Sequence, residues 1–216
     1  MKNKKPFYLS DYEVCPYKII DIDLDFIILD DYVRVISRYS FHSNSLDNIT
    51  SLFLYGRDIE IENIEFEGKP LPSTCFELNQ FGITIFGELG RSFELVIQSK
   101  INPYVNTSLE GLYCSGDVLT TQCEAQGFRR ICFHPDRPDV LSKYVVRIEA
   151  DKLRYPKLLS NGNKIEEGNL ISNPSRHYAV WEDPFPKPSY LFALVAGNLS
   201  EVFESYRTQS GRLISI

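Results

Sequence analysis

An alternation of period two runs through most of the chain and constrains its fold more than any other feature. In "IDIDLDF", Asp21, Asp23 and Asp25 alternate with Ile22, Leu24 and Phe26, and "VRVISRYSF", "IEIENIEFEG", "ITIFGELGRSFELVI" and "YVVRIEA" repeat the pattern more loosely. Successive side chains of an extended chain point to opposite faces, so these segments read as strands with one wet face and one core face. Turn signals separate them: Gly68 and Lys69 before Pro70, the "GELG" of Gly87 to Gly90, Asn161-Gly162, and Ser210-Gly211. The expectation is an all-β fold of several twisted, mostly antiparallel sheets rich in hairpins.

Only two stretches compete for helix. In "DRPDVLSKY" Pro138 could open one short turn, and "LSEVFESY" from Leu199 mixes periods. The densest proline run, "EDPFPKPSY", reads as a rigid loop feeding a seven-residue apolar strand from Tyr190 to Ala196. No repeat, low-complexity tract or linker divides the 216 residues, which at 43% hydrophobic and 13% aromatic can bury one substantial core. Residues 1–216 therefore read as a single β domain.

Charge and composition narrow the partners. A balance of 23 basic against 29 acidic residues gives a net charge of −6, opposite to the footprint of a protein that neutralises phosphates, so nucleic acid is not expected. "YLFALVAG" is far shorter than the ~20 residues needed to span a bilayer. The lysines of "MKNKK" are followed by no apolar run, so an export signal is not expected. Five cysteines, Cys15, Cys75, Cys114, Cys123 and Cys132, cannot all pair, which favours free thiols and a cytoplasmic location. N-x-S/T triplets at Asn48, Asn106 and Asn198 are short enough to arise by chance and do not change that expectation.

Most catalytic signatures are absent. His42, His134 and His177 are the only histidines and none belongs to an H-E-x-x-H pair, so no catalytic zinc is expected in this chain. Cys114, Cys123 and Cys132 recur every nine residues, a spacing without the C-x₂₋₄-C geometry of structural zinc. The aspartate row 21, 23, 25 reads as a solvated strand face, and there is no G-x-S-x-G elbow, P-loop or G-x-G-x-x-G. What remains is "TTQCEA". If it is extended, Gln122 and Glu124 share a face and Cys123 points the other way. A carboxylate beside an amide oxygen is suited to hold an ammonium group, although exposed Glu and Gln on a strand are more often merely solvated.

The run "NTSLEGLYCSGDVLTTQCEAQGFRRICFHPDRPDVL" (Asn106 to Leu141) resembles the N-terminal domain of the bacterial aminopeptidase N family of zinc metallopeptidases. "DYEVCPYKIIDIDLDFIIL", "KLRYPKLLSNGNKIEEG" and "WEDPFPKPSYLFALVAGNL" fall in that family's order, so nearly the whole chain is covered. The resemblance implies a saddle-like, all-β domain packed on a thermolysin-like catalytic domain that carries the zinc ligands and the catalytic tyrosine. It also implies that Glu124 binds the free α-amino group of a peptide substrate, with Gln122 lining the same pocket. Two departures stand out: Gln126 where the family commonly has Glu, and His134-Pro135 where it usually shows an aromatic or aliphatic pair. Gln126 is left outside the core site for that reason. Arg129, Arg130 and Asp136 are expected to form structural ion pairs.

Two functions compete at this stage. One is the substrate-anchoring domain of a metallo-aminopeptidase, inactive alone, with peptide substrates and the catalytic domain as its partners. The other is a stand-alone β-rich protein-interaction module without catalysis.

Overall fold

The computed structural model describes residues 8–44 and 49–215. The N-terminal lysines and Asn48 lie outside them. The first half of the chain forms β1 (Tyr17–Ile28), β2 (Val33–Ser43), β3 (Ser51–Tyr55), β4 (Glu60–Phe66), β5 (Lys69–Pro70), β6 (Phe76–Asn79), β7 (Gly82–Phe86) and β8 (Ser92–Ile101). The second half forms β9 (Gly111–Ser115), β10 (Val118–Gln122), β11 (Leu141–Asp151), β12 (Lys157–Ser160), β13 (Asn163–Asn169), β14 (Arg176–Pro188), β15 (Leu194–Gly197), β16 (Ser205–Arg207) and β17 (Leu213–Ser215). Among the described residues the helical elements are short 3₁₀ turns, so the all-β expectation is borne out.

An eight-stranded sheet of order β13-β14-β11-β1-β2-β8-β4-β5 forms the large layer. A four-stranded sheet (β12-β15-β10-β9), a three-stranded sheet (β3-β7-β6) and the β16-β17 hairpin complete the fold. Every pairing is antiparallel except β1 with β11. The predicted alternation decides which face is buried: Ile22, Leu24 and Phe26 are fully buried while Asp21 and Asp23 are exposed. Aromatic contacts join the layers. Phe26 of the large sheet stacks on Phe192, which precedes β15, with centroids 5.9 Å apart. Phe128 meets the same ring edge-on at 5.2 Å, so the segment after β10 is packed into the shared core. Each such buried aromatic contributes about 2–3 kcal/mol of hydrophobic stabilisation.

Three local expectations need correction. The proline-rich segment is not a loop: β14 continues through it, pairing with β11 as far as Pro188 opposite Leu141. Its other neighbour, β13, pairs only as far as Asn163 opposite Glu182, and the β11 register shifts between Asp183 and Lys187, so Pro184 and Pro186 have no ladder partner in either strand and a missing N–H breaks no ladder there. The apolar run from Tyr190 is not all strand either; a 3₁₀ turn, Ser189–Leu191, precedes the four-residue β15. Finally, neither helical candidate forms a helix. Pro138 lies in a hydrogen-bonded turn closed by Val140 N–H to the Arg137 carbonyl, and the 199–206 stretch is irregular until β16.

Candidate functional site

The candidate site lies where the β9-β10 hairpin ends. The last ladder pair is Gln122 opposite Gly111, and β10 is held on its other side by β15. Thr121 reinforces that side: its Oγ1 accepts from Leu194 N–H at 2.9 Å and donates to the Leu194 carbonyl at 3.3 Å. Beyond Gln122 the chain leaves the sheet in a tight turn, closed by Gly127 N–H donating to the Cys123 carbonyl at 2.8 Å. A glycine is required at 127, because a Cβ there would stand 2.3 Å from the Gln122 carbonyl oxygen and 3.0 Å from the Gly111 nitrogen. Gly111 is also constrained, with φ +73° and its Cβ position 2.7 Å from the Arg130 Cβ.

The extended geometry expected for "TTQCEA" therefore stops at Gln122, yet the predicted facing persists. Gln122 and Glu124 are exposed while Cys123 between them is buried. The Glu124–Ala125 peptide is cis. Gln122 Nε2 donates to the Glu124 carbonyl at 3.2 Å with one of its two hydrogens, and Oε1 carries no hydrogen bond among the described residues. Glu124 forms no ion pair among the described residues. The two side chains thus present the Glu124 carboxylate and the Gln122 amide oxygen as acceptors, beside the second amide N–H.

The back of the turn is fixed by charge. Arg129 Nε donates to Asp136 Oδ2 at 2.6 Å, and Ser189 Oγ donates to the other carboxylate oxygen at 2.8 Å. Arg130 pairs with Glu110 at 3.1 Å and with Asp58. The ion pairs expected of Arg129, Arg130 and Asp136 are thus formed. Sequence reasoning missed Ser189, Asp58, Glu110 and Tyr55, whose ring carries the Arg129 guanidinium 4.1 Å above it. These partners come from other parts of the chain, three of them from turns and bends and Tyr55 from β3, and leave no local signal.

Beneath the turn the interior holds thiols and an imidazole in neutral form. Burial pushes the Cys132 thiol up to about 12 and the Cys123 thiol higher still. The same burial drives His134 down to about 3, and neither of its ring nitrogens has a partner. The thiols are therefore packing groups, not nucleophiles. All five cysteines are free, and Cys114 donates to the Gly116 carbonyl at 3.1 Å. The histidines stay apart: His42 is exposed on β2, and His177 on β14 bonds the Tyr155 carbonyl at 2.8 Å. Among the described residues no group of three or more His, Cys, Asp or Glu side chains could hold a metal ion. A catalytic zinc does not fit the residues described. Nor is any described helix long and apolar enough to cross a membrane.

Residues 17–191 match the family described as the Peptidase M1 N-terminal domain. The chain belongs to this family. Within it, this M1 domain falls in the aminopeptidase N group. It is 42% identical to aminopeptidase N of Escherichia coli over 97% of its length, and 43% identical to that of Caulobacter vibrioides over 96%. Among solved structures, aminopeptidase A of Legionella pneumophila in complex with aspartic acid shares 34% identity and a TM-score of 0.90 over 96% of the chain. An M1 zinc metallopeptidase variant from Deinococcus radiodurans, bound to a Tyr-Ser-Ala substrate, shares the fold at TM-score 0.76 with 10% identity over 93% of the chain and 46% of its own. The M1 domain spans about a quarter of the length of the curated relatives, 23–24%, and 24% of the Legionella chain.

Proposed function

We propose that this chain is the N-terminal substrate-anchoring domain of a zinc-dependent aminopeptidase, which removes residues one at a time from peptides with a free N-terminus. In this reading residues 1–216 form one domain, and the zinc and the catalytic groups lie on a separate, thermolysin-like part of the polypeptide. Glu124 takes the substrate's α-ammonium through its carboxylate, and Gln122 Oε1 supplies a second acceptor. The observation that carries the reading is the uncompensated carboxylate: Glu124 has no cation of its own among the described residues, and the Gln122 bond to the Glu124 carbonyl sets the amide oxygen beside it as a second acceptor. Such a pair favours an ammonium and disfavours anions. An exopeptidase must fix the distance from that ammonium to the scissile carbonyl, which calls for an anchor on rigid backbone. The turn closed by Gly127 is suited to that task. Five unpaired thiols favour a reducing, cytoplasmic compartment, where the enzyme would act in peptide catabolism.

The test is Glu124→Gln in the intact polypeptide, assayed on an aminoacyl substrate with a free amine. We expect kcat/KM to fall by about 2–4 kcal/mol, roughly 30- to 1000-fold, with zinc content and Tm unchanged. Kinetics equal to wild type would remove Glu124 from the amine site.

A further inference from the structure

We infer that Asp136 is a positioning residue for the substrate amine: one buried carboxylate ties together the two backbone segments that aim Gln122 and Glu124. The inference rests on the reading of Glu124 as the amine anchor. Asp136 is 3% exposed. Its Oδ2 accepts from Arg129 Nε at 2.6 Å and from the Arg129 backbone N–H at 3.3 Å, while Arg129 Nη2 reaches the Asp136 carbonyl at 3.3 Å. Oδ1 accepts from Ser189 Oγ at 2.8 Å.

The first set of bonds holds the chain as it leaves the turn. From Arg129 the frame runs back through hydrogen bonds: Arg130 N–H to the Gly127 carbonyl, then Gly127 N–H to the Cys123 carbonyl, the residue before Glu124. The Arg129 carbonyl also accepts from Arg57 N–H at 2.8 Å, and its guanidinium lies on Tyr55. The second bond holds the strand beneath. Ser189 opens the 3₁₀ turn that leads into β15, and β15 pairs with β10, which ends at Gln122. Both segments therefore refer to the same carboxylate. A buried ion pair supplies little net stability compared with apolar packing of the same volume, but its short directional bonds specify geometry. Here the specified geometry is that of the acceptor-bearing turn.

The deciding experiment is a double-mutant cycle in the intact polypeptide, reading kcat and KM separately on a free-amine aminoacyl substrate. We expect Asp136→Asn to raise KM about tenfold and Ser189→Ala about threefold, with kcat within about twofold, because a misaimed anchor loses ground-state and transition-state binding alike. Ser189→Thr, which keeps the hydroxyl, restores KM. In a Glu124→Gln background both changes lose their effect, since there is no carboxylate left to aim. Effects that multiply undiminished in that background, or changes in Tm with KM untouched, would reduce the cluster to ordinary scaffold and overturn the inference. Should Asp136→Asn fail to fold, the Ser189→Ala and Ser189→Thr pair decides it alone. If Glu124→Gln by itself changes nothing, the anchor reading fails; if it acts but does not couple, only the positioning role fails.

Discussion

Asp21 to Asp25 and Gln122 to Glu124 are both acidic stretches that alternate with buried residues, yet their surroundings differ. The aspartates lie inside β1, with β2 and β11 paired along both sides. Arg38 stands opposite Asp23 in register and donates to Asp25 at 2.9 Å, so the row is compensated from the neighbouring strand. Glu124 lies beyond the last ladder pair of β10, on a turn held from behind, and no basic side chain comes to it among the described residues. A continuing ladder brings cross-strand partners that neutralise an acid; an interrupted one leaves the acid available to a ligand. Position relative to the end of a ladder, more than spacing, separates a surface carboxylate from a candidate anchor.

Gly127→Ala should break the comparison with the largest effect. The added methyl meets backbone atoms that cannot step aside, and we expect a loss of about 3 kcal/mol, measured by denaturant unfolding. Next comes pH dependence, which has opposite signs in the two regions. His134 under the turn is neutral in the fold down to about pH 3, whereas in the unfolded chain it takes a proton below about 6.5. Stability therefore falls as pH drops through about 6.5, with a slope that approaches about 1.4 kcal/mol per unit near pH 5. His134→Phe should flatten that slope; an unchanged slope would assign the acid sensitivity elsewhere. Asp23 is shifted the other way, raised chiefly by desolvation and only partly offset by Arg38. Its ionised form weighs against the fold at neutral pH, and that cost is relieved as pH falls. Because the side chain is exposed, Asp23→Asn should change stability at pH 7 by no more than about 0.5 kcal/mol, in the stabilising direction.

Much of the fold was legible because burial of one face imposes period two on a strand. β1, β2, β4, β8 and β11 fall where alternation placed them, and the β12-β13 and β16-β17 turns fall at Asn161-Gly162 and Ser210-Gly211. β14 was misread because proline content is a local signal, whereas its tolerance depends on whether a neighbouring strand needs the N–H. The site was legible in part. Alternation gave the shared exposure of Gln122 and Glu124, while the turn that ends the strand at Gln122 was missed. Ser189 was illegible: it meets Asp136 across 53 residues, and no period connects them.

The parallel pairing of β1 with β11 sets a timetable. β1 emerges early in synthesis and β2 covers one side, but residues 21–27 find their other partner only when residues 143–149 have been made. At ~5–20 residues per second the open edge waits on the order of ten seconds. During that interval the chain carries an unpaired strand in the middle of its future sheet, and closing so distant a contact is intrinsically slow. A row of like charges along one face of that strand makes it a poor match for a copy of itself. The aspartate row thus stands on the strand most exposed to mispairing before the domain is finished.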